Sequence, residues 1–266
     1  MVTQTHIGID SIVEDVSGWS SPYTISTTCA PLIGELIATD HTVGPGTILT
    51  EQEVYDQVTA VEYLAWLLAE RNERKSLEIR INEDGTLPPM ATDKLRLVAL
   101  IEVGEFMGAI TTENERLCAF ATDQIENAAA MAAAVELSLP SLKIVKEQFA
   151  DRVSSAGAAH YIDCLTKLWP LQLVDRSFDA TEVAVIVAAS ESGFLADLGD
   201  WARGIDLGTE ADISRAKREL SNQGIISVTK EPMGVGRPRH RLELVPEQFE
   251  RTNRTDLELV GSILFE

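Results

Sequence analysis

The chain has 266 residues, 45% of them hydrophobic, which suits two domains of ordinary size and excludes wholesale disorder. No run of eighteen apolar residues offers a membrane span. A formal net charge of −20 argues at first against a nucleic-acid partner, and with 15 Arg against 7 Lys it fits a surface hydrated in concentrated salt, that of a halophilic cytoplasm.

In chain order, Tyr23–Thr27 reads as a strand leading into an apolar helix from Ala30 to Ala38. His41–Gly46 reads as loop, and Thr50 as the cap of one long helix from Glu51 to Arg74. Ser76–Asn82 alternates apolar and polar residues as a strand does. Two further strands follow, Lys94–Val103 and Phe106–Thr111, with Gly104-Glu105 as their hairpin turn. Helices are expected over Asn114–Leu137, Leu142–Val153 and Ala158–Leu168.

This region offers little chemistry. It has no P-loop, no Gly-x-Gly-x-x-Gly between strand and helix, no His-x-x-x-His and no Cys-x-x-Cys, so neither a cofactor nor a metal site is expected. A phospholipase-D-type nuclease needs a His-x-Lys pair, and no histidine here begins one. Glu102, Glu105, Glu113 and Glu115 crowd the hairpin, where a solvated acidic face outweighs a metal or acid/base cluster. His160, Tyr161 and Cys164 share one helix and read as a packed seam. Cys29, Cys118 and Cys164 stand far apart, as reduced cytoplasmic thiols do, and the first residues lack a secretory pattern. Tyr63 and Trp66 are expected in the core or in a dimer interface, and the Ala-rich run Asn127–Val135 in a dimer seam or the interior. No catalytic residue is assigned, so an enzyme is not expected.

The C-terminal third is more informative. A helix over Asp179–Ser190 is followed by a second over Phe194–Arg203, a turn through Gly204–Gly208, and a third from Glu210 to Gln223 that ends at Gly224. Thr209 and Asp212 have the spacing of a capping box at the start of the third helix. At about 100° per residue, Ile213, Ala216 and Leu220 fall on one face and Ala211, Ser214, Arg215, Arg218 and Asn222 on the opposite one. Small residues beside Arg and Asn are what a helix needs to enter a major groove and bond base edges. Strands over Gly224–Glu231 and Arg239–Leu244 then flank a Gly/Pro-rich turn. Three helices followed by such a hairpin is the order of a winged helix-turn-helix. Arg237 and Arg239 sit where a wing meets phosphates or the minor groove, with Lys230 and Arg241 beside them. Charge agrees: residues 201–241 carry eight bases and five acids, while every other part of the chain is net acidic.

The run Ile213–Leu220 with Gly224-Ile225-Ile226, followed by Val235-Gly236-Arg237-Pro238-Arg239-His240-Arg241-Leu242, resembles the winged helix of haloarchaeal TbsP-type transcriptional regulators. The likeness extends loosely to Leu100–Glu105 and Gly108–Thr112, and the winged helix also resembles the wider MarR and TrmB groupings. His240 stands where the family pattern calls for an aliphatic residue. The resemblance implies a halophilic archaeon and a regulator of metabolic genes.

The expected architecture is α+β. A mixed α/β, sensor-like domain over 1–175 precedes a winged helix-turn-helix over 176–246 and a tail over 247–266, in which Leu257-Glu258-Leu259-Val260 offers a strand to a partner. The expected partners are double-stranded DNA, a second copy of the chain and a small-molecule effector. The alternative is a winged helix that serves as a protein-interaction module in a transcription complex, without direct base readout.

Overall fold

The computed structural model describes residues 3–19, 22–39, 45–83, 88–103, 106–174, 177–232, 238–250 and 254–265. The chain divides into two units, one of 1–60 with 67–138 and one of 61–66 with 139–266.

The first unit is built on an eight-stranded mixed sheet. In chain order it contains β1 (Thr3–Ile7), α1 (Ile9–Ser17), β2 (Tyr23–Ser26), α2 (Ala30–Ala38), β3 (Gly46–Thr50), α3 (Gln52–Thr59) and then α4 (Glu62–Glu73), whose first turn is counted with the second unit. β4 (Leu77–Ile81), β5 (Met90–Thr92), β6 (Leu97–Val103), β7 (Phe106–Thr112), α5 (Glu115–Met131) and β8 (Ala133–Ala134) complete it. The strand order is β1-β7-β6-β5-β2-β3-β4-β8, with β2, β3 and β4 parallel and all other pairs antiparallel. Helices cover both faces. Thr111, which donates to Asp15 of α1, pairs with Val98, so that face belongs to α1. The neighbouring Leu97 points the other way, into a cluster of Leu49, Met90, Ala121, Ile125 and Ala128 under α5. Arg71, itself buried, closes the C-terminal end of α2 by donating to the carbonyls of Ile37 (3.3 Å) and Thr39 (2.6 Å).

Several expectations change here. Gly46, read as the end of a loop, and Thr50, read as a helix cap, are the two ends of β3, while Glu51 stands at the N-cap of α3. The single helix over 51–74 is two, interrupted at Ala60-Val61. The helix expected to Leu137 ends at Met131, where the chain extends and pairs Ala133-Ala134 with Ile81 and Arg80. The Gly104-Glu105 turn lies outside the described residues.

The second unit contains α6 (Leu142–Arg152), α7 (Ser155–Val174), α8 (Ala180–Ser190), α9 (Leu195–Gly204), α10 (Glu210–Asn222), β9 (Ile226–Glu231), β10 (Arg239–Leu244), α11 (Glu247–Glu250) and α12 (Thr255–Leu264). Its centre is α8, in which every residue from Val183 to Ala189 is buried. A helix apolar all round needs neighbours on every side, and α7, α9, α10 and β10 supply them. The β-branched run gains its helical start from a capping box: Asp179 Oδ1 accepts from Glu182 N–H at 2.8 Å and Glu182 Oε2 from Asp179 N–H at 3.1 Å.

The expected boundary near residue 175 therefore moves to 138/139. Phe149 of α6 stacks on Tyr161 of α7 (4.9 Å, 8°), and both meet Trp201 of α9 edge-on at 4.9 and 5.3 Å. All three rings are fully buried, and Trp201 Nε1 donates to the Val145 carbonyl at 3.4 Å. Three buried aromatic rings of this size stabilise more than any single contact along the hairpin, so α6 and α7 belong to the helix-turn-helix core. The stretch expected as a strand, Leu257–Val260, is helical: Asp256, Leu257 and Val260 turn inward at helical spacing, and α12 packs on α7. No described helix is long and apolar enough to cross a membrane.

Candidate nucleic-acid interface

α10 is fixed at both ends. At its start Thr209 N–H and hydroxyl donate to Asp212 Oδ2 at 2.9 and 2.7 Å, and Thr209 Oγ1 accepts from Asp212 N–H at 3.4 Å. The two bonds from Thr209, with a smaller contribution from Arg215, hold the Asp212 carboxyl below its usual range. At its end Gly224, with φ +75°, donates to the Ser221 carbonyl at 3.1 Å, and Ile225 N–H donates to the Leu220 carbonyl at 3.0 Å. This is a Schellman motif, and it needs the left-handed conformation that glycine adopts without strain.

Between these ends Ile213, Ala216 and Leu220 are buried, while Ala211, Ser214, Arg215, Arg218 and Asn222 are exposed. The structure thus places Ser214, Arg215, Arg218 and Asn222 together on one open helix face. Arg215 pairs with Asp212 at 2.9 Å. Among the described residues, Arg218 has no ion-pair partner.

The wing hairpin pairs β9 with β10 from Ile226↔Leu244 to Glu231↔Arg239. A third extended segment joins it, because Leu242 N–H donates to the Gly193 carbonyl at 2.9 Å and Phe194 bridges Arg241. Phe194, expected as the first residue of a helix, is extended and stands at the N-cap of α9. Its ring carries two guanidinium groups, Arg239 at 4.1 Å and Arg241 at 4.6 Å from the centroid. Arg239 also pairs with Asp197, and Arg241 takes a two-pronged bond with Glu231 while donating to the Ser192 carbonyl at 2.9 Å. The Arg241 hydrogen bond pulls the Glu231 carboxyl below its usual range and raises the guanidinium pKa in turn. Arg239 and Arg241, expected beside the phosphates, are thus engaged within the unit and hold the wing to the start of α9. Lys230 is exposed on β9, and Arg237 lies outside the described residues. His240 is half-buried, with Ser214 and Ile213, on a cleft of about 360 Å³ between α9, α10 and β10.

Five carboxylates therefore stand among the bases of this face: Asp200 and Glu210 both pair with Arg203, and Asp197, Asp212 and Glu231 take Arg239, Arg215 and Arg241.

Residues 141–261 match the family model described as the transcriptional regulator TbsP-like, C-terminal HTH domain. The match starts at the threshold of α6, so the matched segment includes the two helices that pack beneath the helix-turn-helix. No curated protein matches the chain. Among solved structures, the chain is similar to TrmBL2, an archaeal chromatin protein with a novel mode of DNA binding: 12% identity, 51% of this chain and 55% of that one, TM-score 0.38. It spans about half of that protein's length. It is also similar to Nuc from Salmonella typhimurium, a phospholipase D family member, at 9% identity over 51% of this chain and 99% of that one, TM-score 0.38. Both overlaps are too shallow to carry a function across.

No group of three His, Cys, Asp or Glu residues able to hold a metal occurs among the described residues. His160 Nδ1 lies 3.7 Å from Glu191, Tyr161 belongs to the aromatic cluster, and Cys164 is buried, with its thiol pKa pushed up to about 12, mainly by burial. Tyr63 and Trp66 are buried, and Tyr63 accepts a hydrogen bond from Thr166 at 3.0 Å.

Proposed function

We propose that this protein is a DNA-binding transcriptional regulator in which the TbsP-like domain reads base edges with α10. The observation that carries the reading is the split helix surface, with Ile213, Ala216 and Leu220 buried and Ser214, Arg215, Arg218 and Asn222 open. A helix held at both ends, with Arg and Asn on a convex face, suits major-groove entry, where each good bidentate contact discriminates by about 1–3 kcal/mol.

In finer terms, we place it in a halophilic archaeal cytoplasm, acting on metabolic genes as a homodimer without catalytic activity. The acidic composition and the low Lys share support the setting. A dimer would present two copies of α10 about one DNA turn apart to a pseudo-palindrome. The first unit is assigned the sensing of a small-molecule effector.

The test is a genome-wide pull-down of tagged protein beside the Arg215→Ala/Arg218→Ala variant. Sharp promoter peaks lost in the variant support the reading. The carboxylate pairing of Arg203, Arg215, Arg239 and Arg241, which lowers the positive charge offered to phosphates, favours as a second reading a protein-interaction module without direct base readout. Absence of peaks with the unaltered protein, together with a captured partner, would establish that alternative.

A further inference from the structure

In open sheets, ligands sit outside the carboxyl ends of parallel strands. In the first unit β2, β3 and β4 end side by side, and Ser26, Thr27, Thr28, Thr50, Glu51 and Asn82 line a crevice there of about 30 Å³. Ser26, Thr27 and Thr50 are buried polar residues. Thr27 Oγ1 accepts the Cys29 N–H at 3.1 Å. Thr50 is only 3% exposed, and its Oγ1 has no hydrogen-bond partner among the described residues. Buried polar groups are as a rule satisfied, by protein, water or ligand.

Two helices begin at the same rim, α2 just after Thr28 and α3 at Glu51. Neither N-cap side chain, Cys29 or Glu51, caps its helix. The first backbone bonds run from Ile33 to Cys29 and from Tyr55 to Glu51, which leaves the N–H groups of Leu32 and of Gln52, Glu53 and Val54 outside the helical ladders. The Thr50 hydroxyl and the Asn82 amide are donors among the lining residues, and the positive ends of the two helices that start beside the rim favour negative charge there.

Size narrows the ligand. The recess exceeds the roughly 10–15 Å³ needed for one water but is far below the roughly 300 Å³ of a pocket that encloses a whole ligand. It takes a planar head group and leaves the rest of the molecule outside. Glu51, the single charged lining residue, is exposed at the mouth, where it repels a bare anion and accepts from a hydroxyl or ammonium donor. We propose that this crevice binds the carboxylate head of a small hydroxy or amino acid, with Thr50 and Asn82 donating to the carboxylate and Glu51 accepting from the donor beside it. As an effector site it rests on the sensing role assigned to this unit, but its occupancy is measured without DNA.

The experiment is thermal melting of the full chain in glycolate, with inorganic phosphate and ethylene glycol as comparators, ionic strength being held constant with chloride. Glycolate is expected to raise the midpoint saturably, and the comparators much less. Thr50→Val, which keeps the side-chain shape, should weaken glycolate at least about tenfold while melting cooperatively on its own. Glu51→Gln should tighten glycolate, because a repulsive charge is removed while an acceptor remains. No saturable rise, an equal rise in Thr50→Val, or an equal rise with phosphate or ethylene glycol would overturn the assignment.

Discussion

Salt dependence is the sharpest test of how the candidate interface is wired. A base that neutralises a phosphate releases about 0.9 of a condensed cation, so each contact adds about 0.9 to the slope of log K against log[salt]. A base that stays in its carboxylate pair neutralises no phosphate and contributes close to nothing to the slope. Of Arg215, Arg218, Lys230, Arg239 and Arg241, three hold carboxylate partners, namely Asp212, Asp197 and Glu231. The expected slope per protomer is therefore about 1.8, from Arg218 and Lys230, against about 4.5 if all five released cations, and Arg237 adds about 0.9 to either figure. Asp197→Asn frees Arg239, which remains stacked on Phe194, and should steepen the slope by about 0.9 per protomer while strengthening non-specific binding at low salt. Fluorescence anisotropy on one duplex across a salt series measures both, with stoichiometry from the same titration. An unaltered protein near 4.5 per protomer, or an Asp197→Asn slope equal to it, would refute the self-neutralised face.

Four further outcomes follow from single sites. Arg218→Ala should weaken operator binding by about 1–3 kcal/mol, and Arg215→Ala should in addition relax preference at one base position; competition with singly substituted duplexes checks both. Gly224→Ala should cost about 1–2 kcal/mol in urea unfolding, from the left-handed backbone alone, because the new Cβ would meet Gln248 at an ordinary 3.5 Å. Glu62→Gln should raise the melting midpoint near neutral pH. Burial, and then the Asp179 charge, raise the Glu62 pKa above its ordinary value, so the folded state holds that proton to higher pH than the unfolded chain. The residue's contribution to stability accordingly falls as pH climbs through that window, and the advantage of Gln should vanish toward acid pH. An advantage that grew with acidification would contradict the buried-carboxyl reading.

Where one period dominates, the fold was legible. β4 shows the alternation of Leu77, Ile79 and Ile81 inward, and α10 shows Ile213, Ala216 and Leu220 on a single stripe. Elements fixed by distant partners were not. β3 opens at Gly46, where any Cβ would lie 2.3 Å from the Tyr23 ring, so that glycine answers to packing and not to the local turn that its neighbours suggest. The Ala-rich end of α5 favours further helix by propensity, yet pairing with β4 wins, helped by Arg80 donating to the Ala129 carbonyl at 2.8 Å. Leu257-Glu258-Leu259-Val260 satisfies both periods, and only packing against α7 makes it helical.

The interface divides in the same way. The α10 face depends on residues three and four apart, so its composition is visible in the chain itself. The wing arginines depend on partners that spacing does not announce. Asp197 lies 42 residues before Arg239, and Glu231 is brought within reach of Arg241 by the hairpin register. A count of bases over residues 201–241 therefore overstates the charge presented to a phosphate backbone. The only local hint was Phe194, an aromatic just after a Ser-Gly turn, where an extended segment can lend its ring to the neighbouring strand. With part of its positive charge held internally, such a domain gains less from phosphate contacts, and its affinity must come more from base edges and fit. On the proposed reading, that balance suits a regulator in concentrated salt, where the phosphates are already screened.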